Sequence, residues 1–425
     1  MLTVLHPELL PLIYDIPVGL IPLWLKNGER PKLVIKTTKE MILAAKINQG
    51  FRIYAAPIVV QGKNTLGFLS AFFDDEDEPL VIWTLIYSDN ETLRDTVLCS
   101  QLDIYFFDVN NRELLGYKAD LSCESTTRSF IEKIELLPYD FSIEKLSMDQ
   151  MTKWFGMRSV QDDLSAIFVK FTTALVPEDL LIQDLLPQNH SYHGSEPFSY
   201  THLVREEPGA FQERDIVQLL HRIFSPEQIY LGPLRVTDRE EIADVLVATD
   251  SHLLLIQAKD SPNTEQVAKN TMSRKKATTI KSLRKAVDQT RGAVRYARSG
   301  EPMRMIIGGK EIKLRIEGRK IRTLIIVKEL FFGEYSAYSN IVLPVAEKNN
   351  APCIVLDYAE LHMYSLHLRN EESFFNAYDR VFMHGTEHGV FPRLRFGIAD
   401  SINSSRFIKK LVNFNPPSAE KCRRR

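Results

Sequence analysis

The sequence predicts an α+β multidomain protein: a β-rich N-terminal domain followed by an α/β core whose mixed central sheet is flanked by helices. Three observations predict it. The chain has 425 residues, too many for one ordinary hydrophobic core. The first 200 residues carry 17 Lys and Arg against 28 Asp and Glu, while the remainder carry 36 against 27, so an acidic half precedes a basic one. Short apolar runs separated by turn residues dominate the start of the chain, whereas later apolar strands alternate with helical spacing. These shifts divide the chain into a β-rich domain (1–140), a helical connector and linker (141–208), the α/β domain (209–400) and a basic tail (401–425).

In the first domain the expected strands are Phe51–Val60, Thr65–Phe73, Leu80–Tyr87 and Leu102–Val109. Asn110-Asn111 is a hairpin turn into a further strand, Glu113–Tyr117. The acidic run Asp74-Asp75-Glu76-Asp77-Glu78 reads as a solvated loop in preference to a metal site. No nucleophile–base pair, Gly-rich phosphate loop or internal repeat is present there. The apolar segment Met1–Leu25 lacks a basic leader, and prolines and acids interrupt it, so it is expected to pack on this domain. No apolar run reaches membrane-spanning length. The expectation is a cytoplasmic protein with no membrane partner.

Residues 141–184 read as largely helical, with Ile167, Phe168, Phe171 and Leu175 on one face. Leu186–Gly209 is rich in Pro, Ser, His and Gly and reads as a linker, with His190, His193 and His202 as linker histidines. Cys99, Cys123, Cys353 and Cys422 lack metal-ligand spacing and read as free thiols.

The basic half opens with apolar residues at Phe211, Ile216, Val217, Leu220, Ile223 and Phe224, a helical spacing that Pro226 stops. Gln228–Val236 reads as a strand, weakened by Gly232 and Pro233. Then come two apolar strands, Val245–Ala248 and Leu253–Ile256, joined by a turn at Thr249–His252. The second runs into Gln257-Ala258-Lys259, which puts Gln257 and Lys259 on one face. Asp244 opens the first. A carboxylate and an amide carbonyl are hard ligands suited to Mg²⁺, with Mn²⁺ able to substitute. A lysine beside them would hold water and offset charge developing on a phosphodiester. The plain alternative makes Asp244 a turn residue and Gln257 and Lys259 a strand end reaching water.

Lys276–Arg298 reads as a long helix with an apolar stripe at Ile280, Leu283, Val287 and Val294. Between Lys269 and Arg298 there are ten Lys or Arg against one acid, Asp288. Arg274, Lys275, Lys276, Lys281, Arg284, Lys285, Arg291 and Arg295 form what a polyanionic substrate needs beside such a site. The alternative is a solvated charged face. Ile321–Val327 adds a buried strand. Farther on, Cys353–Asp357 reads as a strand and Ala359–Leu368 and Phe374–Phe382 as helix, while Gly385 and Gly389 argue against helix between His384 and His388.

The pattern Asp244…Gln257-x-Lys259 on consecutive strands, with a helix before and after, resembles the PD-(D/E)XK nuclease superfamily. The Gln-x-Lys form is most similar to its Mrr-like and NERD-type branches. The likeness covers residues 209–328 and implies a restriction-endonuclease-like core. Most members have Glu at the position of Gln257, so this chain carries one negative charge fewer there. The resemblance implies Glu213 on the leading helix as a metal ligand with Asp244 and Gln257, although a glutamate near a helix start also complements the dipole. It implies Asp244, Gln257 and Lys259 as catalytic residues, and Gln289 as a further contact on the basic helix. The activity it implies is Mg²⁺-dependent cleavage of DNA, with RNA open and a defence or restriction role among the family's uses. The alternatives are a catalytically inactive nuclease fold that binds nucleic acid or scaffolds an assembly, and a nuclease held inactive by its acidic half. A protein partner or activator on that half, and self-association, stay open.

Overall fold

Apolar strands, most of them buried along nearly their whole length, build the first half of the chain into one large mixed sheet. The computed structural model describes residues 1–15, 18–25, 29–88, 91–138 and 141–394; the basic tail 401–425 and Cys422 lie outside them. Helices α1 (Leu2–Leu5) and α2 (Leu10–Asp15) lead into strands β1 (Gly19–Leu23) and β2 (Lys32–Lys36). Leu2, Leu9, Leu12 and Ile13 bury against Ile21, Val34 and Phe107, so the apolar N-terminal segment packs on the sheet as expected. Helix α3 (Lys39–Ile47), β3 (Gly50–Val60), β4 (Lys63–Phe72), β5 (Leu80–Leu85), α4 (Thr92–Val97), β6 (Gln101–Phe107) and β7 (Glu113–Ser122) follow. Asn111 takes a left-handed φ of 66° in the turn between β6 and β7. Then come α5 (Ser125–Lys133), α6 (Phe141–Gly156), α7 (Val160–Leu164) and β8 (Ile167–Ala174). The strand order is β1-β2-β6-β7-β8-β3-β4-β5, with β2 and β6 parallel.

Strand β8 corrects the reading of 141–184 as largely helical. Ile167, Val169 and Phe171 are buried while Phe168 and Lys170 are exposed, a period of two that fits a strand between β7 and β3. The expected linker is also tied down. Within it β10 (Ser199–Thr201) pairs with β9 (Ile182–Asp184), and Arg205 and Asn263 exchange backbone hydrogen bonds at 2.9 and 2.8 Å. His193 stacks on Tyr230, and His202 packs against Phe211.

The second half begins with α8 (Gly209–Leu220), β11 (Ile229–Leu231) and β12 (Leu234–Arg235). The single strand expected over 228–236 is therefore two, in different sheets, because Gly232 turns at φ 57° and Pro233 cannot donate to a ladder. Strands β13 (Val245–Ala248) and β14 (His252–Lys259) form the expected hairpin. Its turn is set by the Thr249 hydroxyl, which accepts from Ser251 N and His252 N at 3.3 and 3.0 Å. Helices α9 (Glu265–Ala268) and α10 (Met272–Ala297) precede a hairpin, β15 (Met303–Ile307) and β16 (Lys310–Leu314), that the sequence reading lacked. Next are β17 (Lys320–Val327), α11 (Tyr335–Val342), α12 (Pro344–Asn349), β18 (Cys353–Asp357), α13 (Tyr358–His367) and α14 (Glu371–His388).

The second sheet has the order β11-β13-β14-β17-β18. Its first two pairings are antiparallel, and β14, β17 and β18 run parallel. The alternation along β14 divides two cores. Leu254 and Ile256 join Ile216, Val217 and Leu220 of α8. Leu253 and Leu255 join Ala293 and Val294 of α10. Helix α14 corrects one further expectation, since it runs unbroken through His384 to His388. Gly385 is there for space: a Cβ would lie 2.6 Å from Phe391 Cδ1.

Candidate active site

Antiparallel register brings the three central residues together. Val245 pairs with Ile256, so the residue before β13, Asp244, lies across from Gln257. Asp244 Oδ2 accepts from Ala258 N at 2.5 Å and from Lys259 Nζ at 3.1 Å. The Lys259 ammonium also donates to Ala258 O at 2.6 Å, which fixes it beside the carboxylate. Gln257 is 2% exposed. Its Nε2 donates to Ile242 O at 3.3 Å, and its buried Oε1 has no partner.

Two further carboxyls share this field. Glu213 on α8 is pushed up to about 7, first by loss of water and then by repulsion from Asp244, against the pull of Lys259. Glu241 is pushed up to about 8 by the same loss of water and then by Asp244 and Glu213. It stands at the solvent-exposed rim, so water screens part of that effect. Sequence reasoning missed Glu241 because a three-residue separation from Asp244 puts the two on opposite faces of a regular strand. The chain is irregular from Ile242 to Asp244, which lets both carboxyls reach one place.

The donor chemistry fits a hard divalent cation. Every candidate atom is an oxygen, from Glu213, Asp244 and Gln257. The unpartnered Gln257 Oε1 needs a donor or a cation, and a positive charge would relieve the repulsion that raises Glu213. Among the described residues no three His, Cys, Asp or Glu side chains form a metal-holding group; the candidate set adds the Gln257 amide oxygen to the Glu213 and Asp244 carboxyls.

The basic helix is placed unevenly. Lys281, Arg284, Lys285 and Arg295 are exposed on α10 and make no ion pair among the described residues. Arg274 is exposed near the helix start, and Arg291 pairs with Asp288 at 3.0 Å. Lys275 and Lys276 are bound to the acidic loop, Lys275 to Asp74 at 2.6 Å and Lys276 to Glu78 at 3.5 Å. That loop is therefore not simply solvated: the Asp74 side chain is 9% exposed. Gln289 is exposed on α10 and makes no hydrogen bond with Asp244, Gln257 or Lys259.

Helix α8 is clamped on its other side. Asp215 accepts from Lys39 Nζ at 2.5 Å, Arg112 Nη2 at 2.6 Å and Arg205 Nη1 at 3.1 Å. Asp108 accepts from Arg112 Nε at 2.8 Å. The network holds Asp215 well below the usual carboxylate range despite its burial. Burial, and then repulsion from Arg112 and Arg205, pulls Lys39 down to about 8 against the attraction of Asp215 and Asp108.

Compared with protein-family models, with curated proteins and with solved structures, the chain finds no match in any of the three. Among the described residues no helix is long and apolar enough to cross a membrane.

Proposed function

We propose that this chain is a divalent-cation-dependent nuclease of the PD-(D/E)XK type that cleaves DNA. One observation carries the reading: Asp244, Gln257 and Lys259 gather at one end of the β13–β14 hairpin, with a buried amide oxygen left unpartnered. The sheet supports it, since an antiparallel hairpin is followed by a helical crossover into a parallel strand. Mg²⁺ bound to Glu213, Asp244 and Gln257 would supply the Lewis acidity that activates water and polarises the phosphodiester. The protein's own residues do the rest. Lys259 sits 3.1 Å from Asp244, where its ammonium orients water and balances charge developing on the phosphate oxygens. The free cations of α10 hold the backbone by phosphate contacts, which carry no sequence or sugar preference.

A second reading is a nuclease fold that binds nucleic acid without cutting it. It is favoured by Asp244 Oδ2 being already engaged by two internal donors. The deciding experiment incubates the full chain with plasmid DNA, linear DNA and RNA in Mg²⁺, Mn²⁺ or EDTA, beside Lys259→Ala. Metal-dependent cutting should fall by about 100-fold or more in the variant, with the folded circular dichroism spectrum and duplex affinity kept at the assay temperature. Duplex binding without cutting, by the wild type and equally by a chain whose acidic loop Asp74–Glu78 is neutralised, refutes the nuclease and supports the second reading.

A further inference from the structure

Helix α10 begins against the usual electrostatic pattern. Arg274, Lys275 and Lys276 stand near its start, and no acid stands in its first turn, although a helix N-terminus carries partial positive charge and favours anions. Thr271 at the N-cap contributes no side-chain bond. What satisfies this end comes from the other half of the chain. Asp75 Oδ2 accepts from Met272 N at 3.3 Å. Asp74 takes the Lys275 ammonium on Oδ2 at 2.6 Å and on its carbonyl at 3.1 Å. Glu78 Oε1 meets Lys276 Nζ at 3.5 Å. The loop is shaped for this contact. Asp75 Oδ1 accepts from Asp77 N and Glu78 N at 3.0 and 3.2 Å, and Arg158 donates to Glu76 O at 3.2 Å. The contact also lies near the candidate site. A cavity of about 210 Å³ is lined by Asp74 and Lys275 together with Ser261, two residues beyond Lys259, and Lys328, which follows β17.

We propose that the acidic loop Asp74–Glu78 is an intramolecular competitor of nucleic acid, an autoinhibitory contact that must lift from the start of α10 before a polynucleotide backbone can occupy it. The inference rests on the nucleic-acid reading of α10 above. Carboxylates and phosphates present the same group to Lys275, Lys276 and the Met272 amide, a negatively charged oxygen. Lys281, Arg284, Lys285 and Arg295 stay free for first encounter, while the loop withholds the two lysines and repels an approaching phosphate chain.

The test is duplex binding by the full chain in EDTA, followed by fluorescence anisotropy across a salt series. It compares wild type with Asp74→Asn/Asp75→Asn/Glu78→Gln. Neutralising the loop frees Lys275 for one phosphate contact and Lys276, which keeps Glu334 at 3.9 Å, for at most one more, so the logarithmic salt slope should steepen by about 1–2 and low-salt affinity should rise by roughly several-fold or more. Equal affinity and equal slope overturn the competition and leave the nucleic-acid reading standing. Binding by neither protein overturns both. Labelling the wild type with a carbodiimide and an amine, with and without saturating duplex, needs no substitution and guards against a misfolded variant. It reads the contact itself: saturating duplex should raise labelling of the Asp74 carboxyl, whose side chain is 9% exposed against Lys275, and unchanged or lower labelling overturns the proposal.

Discussion

Replacing Glu213 by Gln should make the metal-free protein more stable above neutral pH and change little near pH 4.5. Burial, and then crowding beside Asp244, raises the Glu213 carboxyl from an ordinary 4.5 to about 7. A native carboxyl that holds its proton more tightly than the unfolded chain contributes stability that is fully present below pH 4.5. That contribution is lost as pH rises to about 7. The rise corresponds to about 3 kcal/mol, and water reaching the half-buried group reduces this to roughly 1.5–3 kcal/mol. Glutamine keeps the shape and never ionises, so Glu213→Gln should recover that amount at pH 8. Urea unfolding in EDTA at pH 4.5, 6 and 8 measures it, provided the slope of free energy against urea is the same for both proteins. A variant no more stable than wild type at pH 8, or one with an equal gain at every pH, refutes the argument. Millimolar Mg²⁺ should narrow the gap at pH 8, because a cation held by the wild-type carboxylate stabilises the native state by mass action.

Asp215→Asn should cost about 3–5 kcal/mol at pH 7, since it strands Lys39, Arg112 and Arg205 around a neutral amide. Because the Asp215 carboxyl is held far below its ordinary range, its contribution is present above about pH 4 and lost as pH falls farther. Chemical denaturation of the variant should therefore show a deficit that shrinks in acid. Gly385→Ala should destabilise by about 1–3 kcal/mol through the clash with Phe391, and a thermal melt that does not move rejects it. Leu255→Ala should cost about 2–5 kcal/mol by opening a cavity between β14 and α10, read by urea unfolding.

The parts of this molecule that were legible in sequence are those where burial alone decides the outcome. Leu253–Ile256 is apolar at every position because both faces of β14 are covered, and Ile280, Leu283 and Val287 repeat with the period of α10. The Asp244, Gln257 and Lys259 placement followed from strand alternation across that hairpin. What escaped depended on contacts between distant segments. Phe168 stands 36% exposed on β8, and counting it as core turned a two-residue period into a helical one. The β15–β16 hairpin is the exception, since its signal is local: Gly308-Gly309 turns at φ values of 55° and 79°. Glu241 depends on an irregular backbone that no periodicity reports. The acidic loop looked solvated because its partners, Met272, Lys275 and Lys276, lie about 200 residues away.

Helix α8 ties the two halves of the chain to one chemistry. Glu213 and Asp215 are two residues apart, about 200° around the helix axis, so they face opposite ways. One enters the field of Asp244; the other is held by cations from α3, from the β6–β7 turn and from the connector. A buried charge network of this kind need not stabilise a fold more than apolar packing would, but it is intolerant of displacement. A slide or roll of α8 would break three bonds at Asp215, so the network sets the position of Glu213 although none of its cations lies in the site. Deleting residues 1–200 would therefore do two opposite things. It would remove the loop that covers the start of α10, and it would also remove Lys39 and Arg112, leaving Asp215 with Arg205 alone. A truncated protein with low activity would not distinguish a mistaken competition hypothesis from a misplaced Glu213. Loop substitutions in the full chain keep the α8 clamp intact, and for that reason they, and not truncation, separate regulation from assembly of the site.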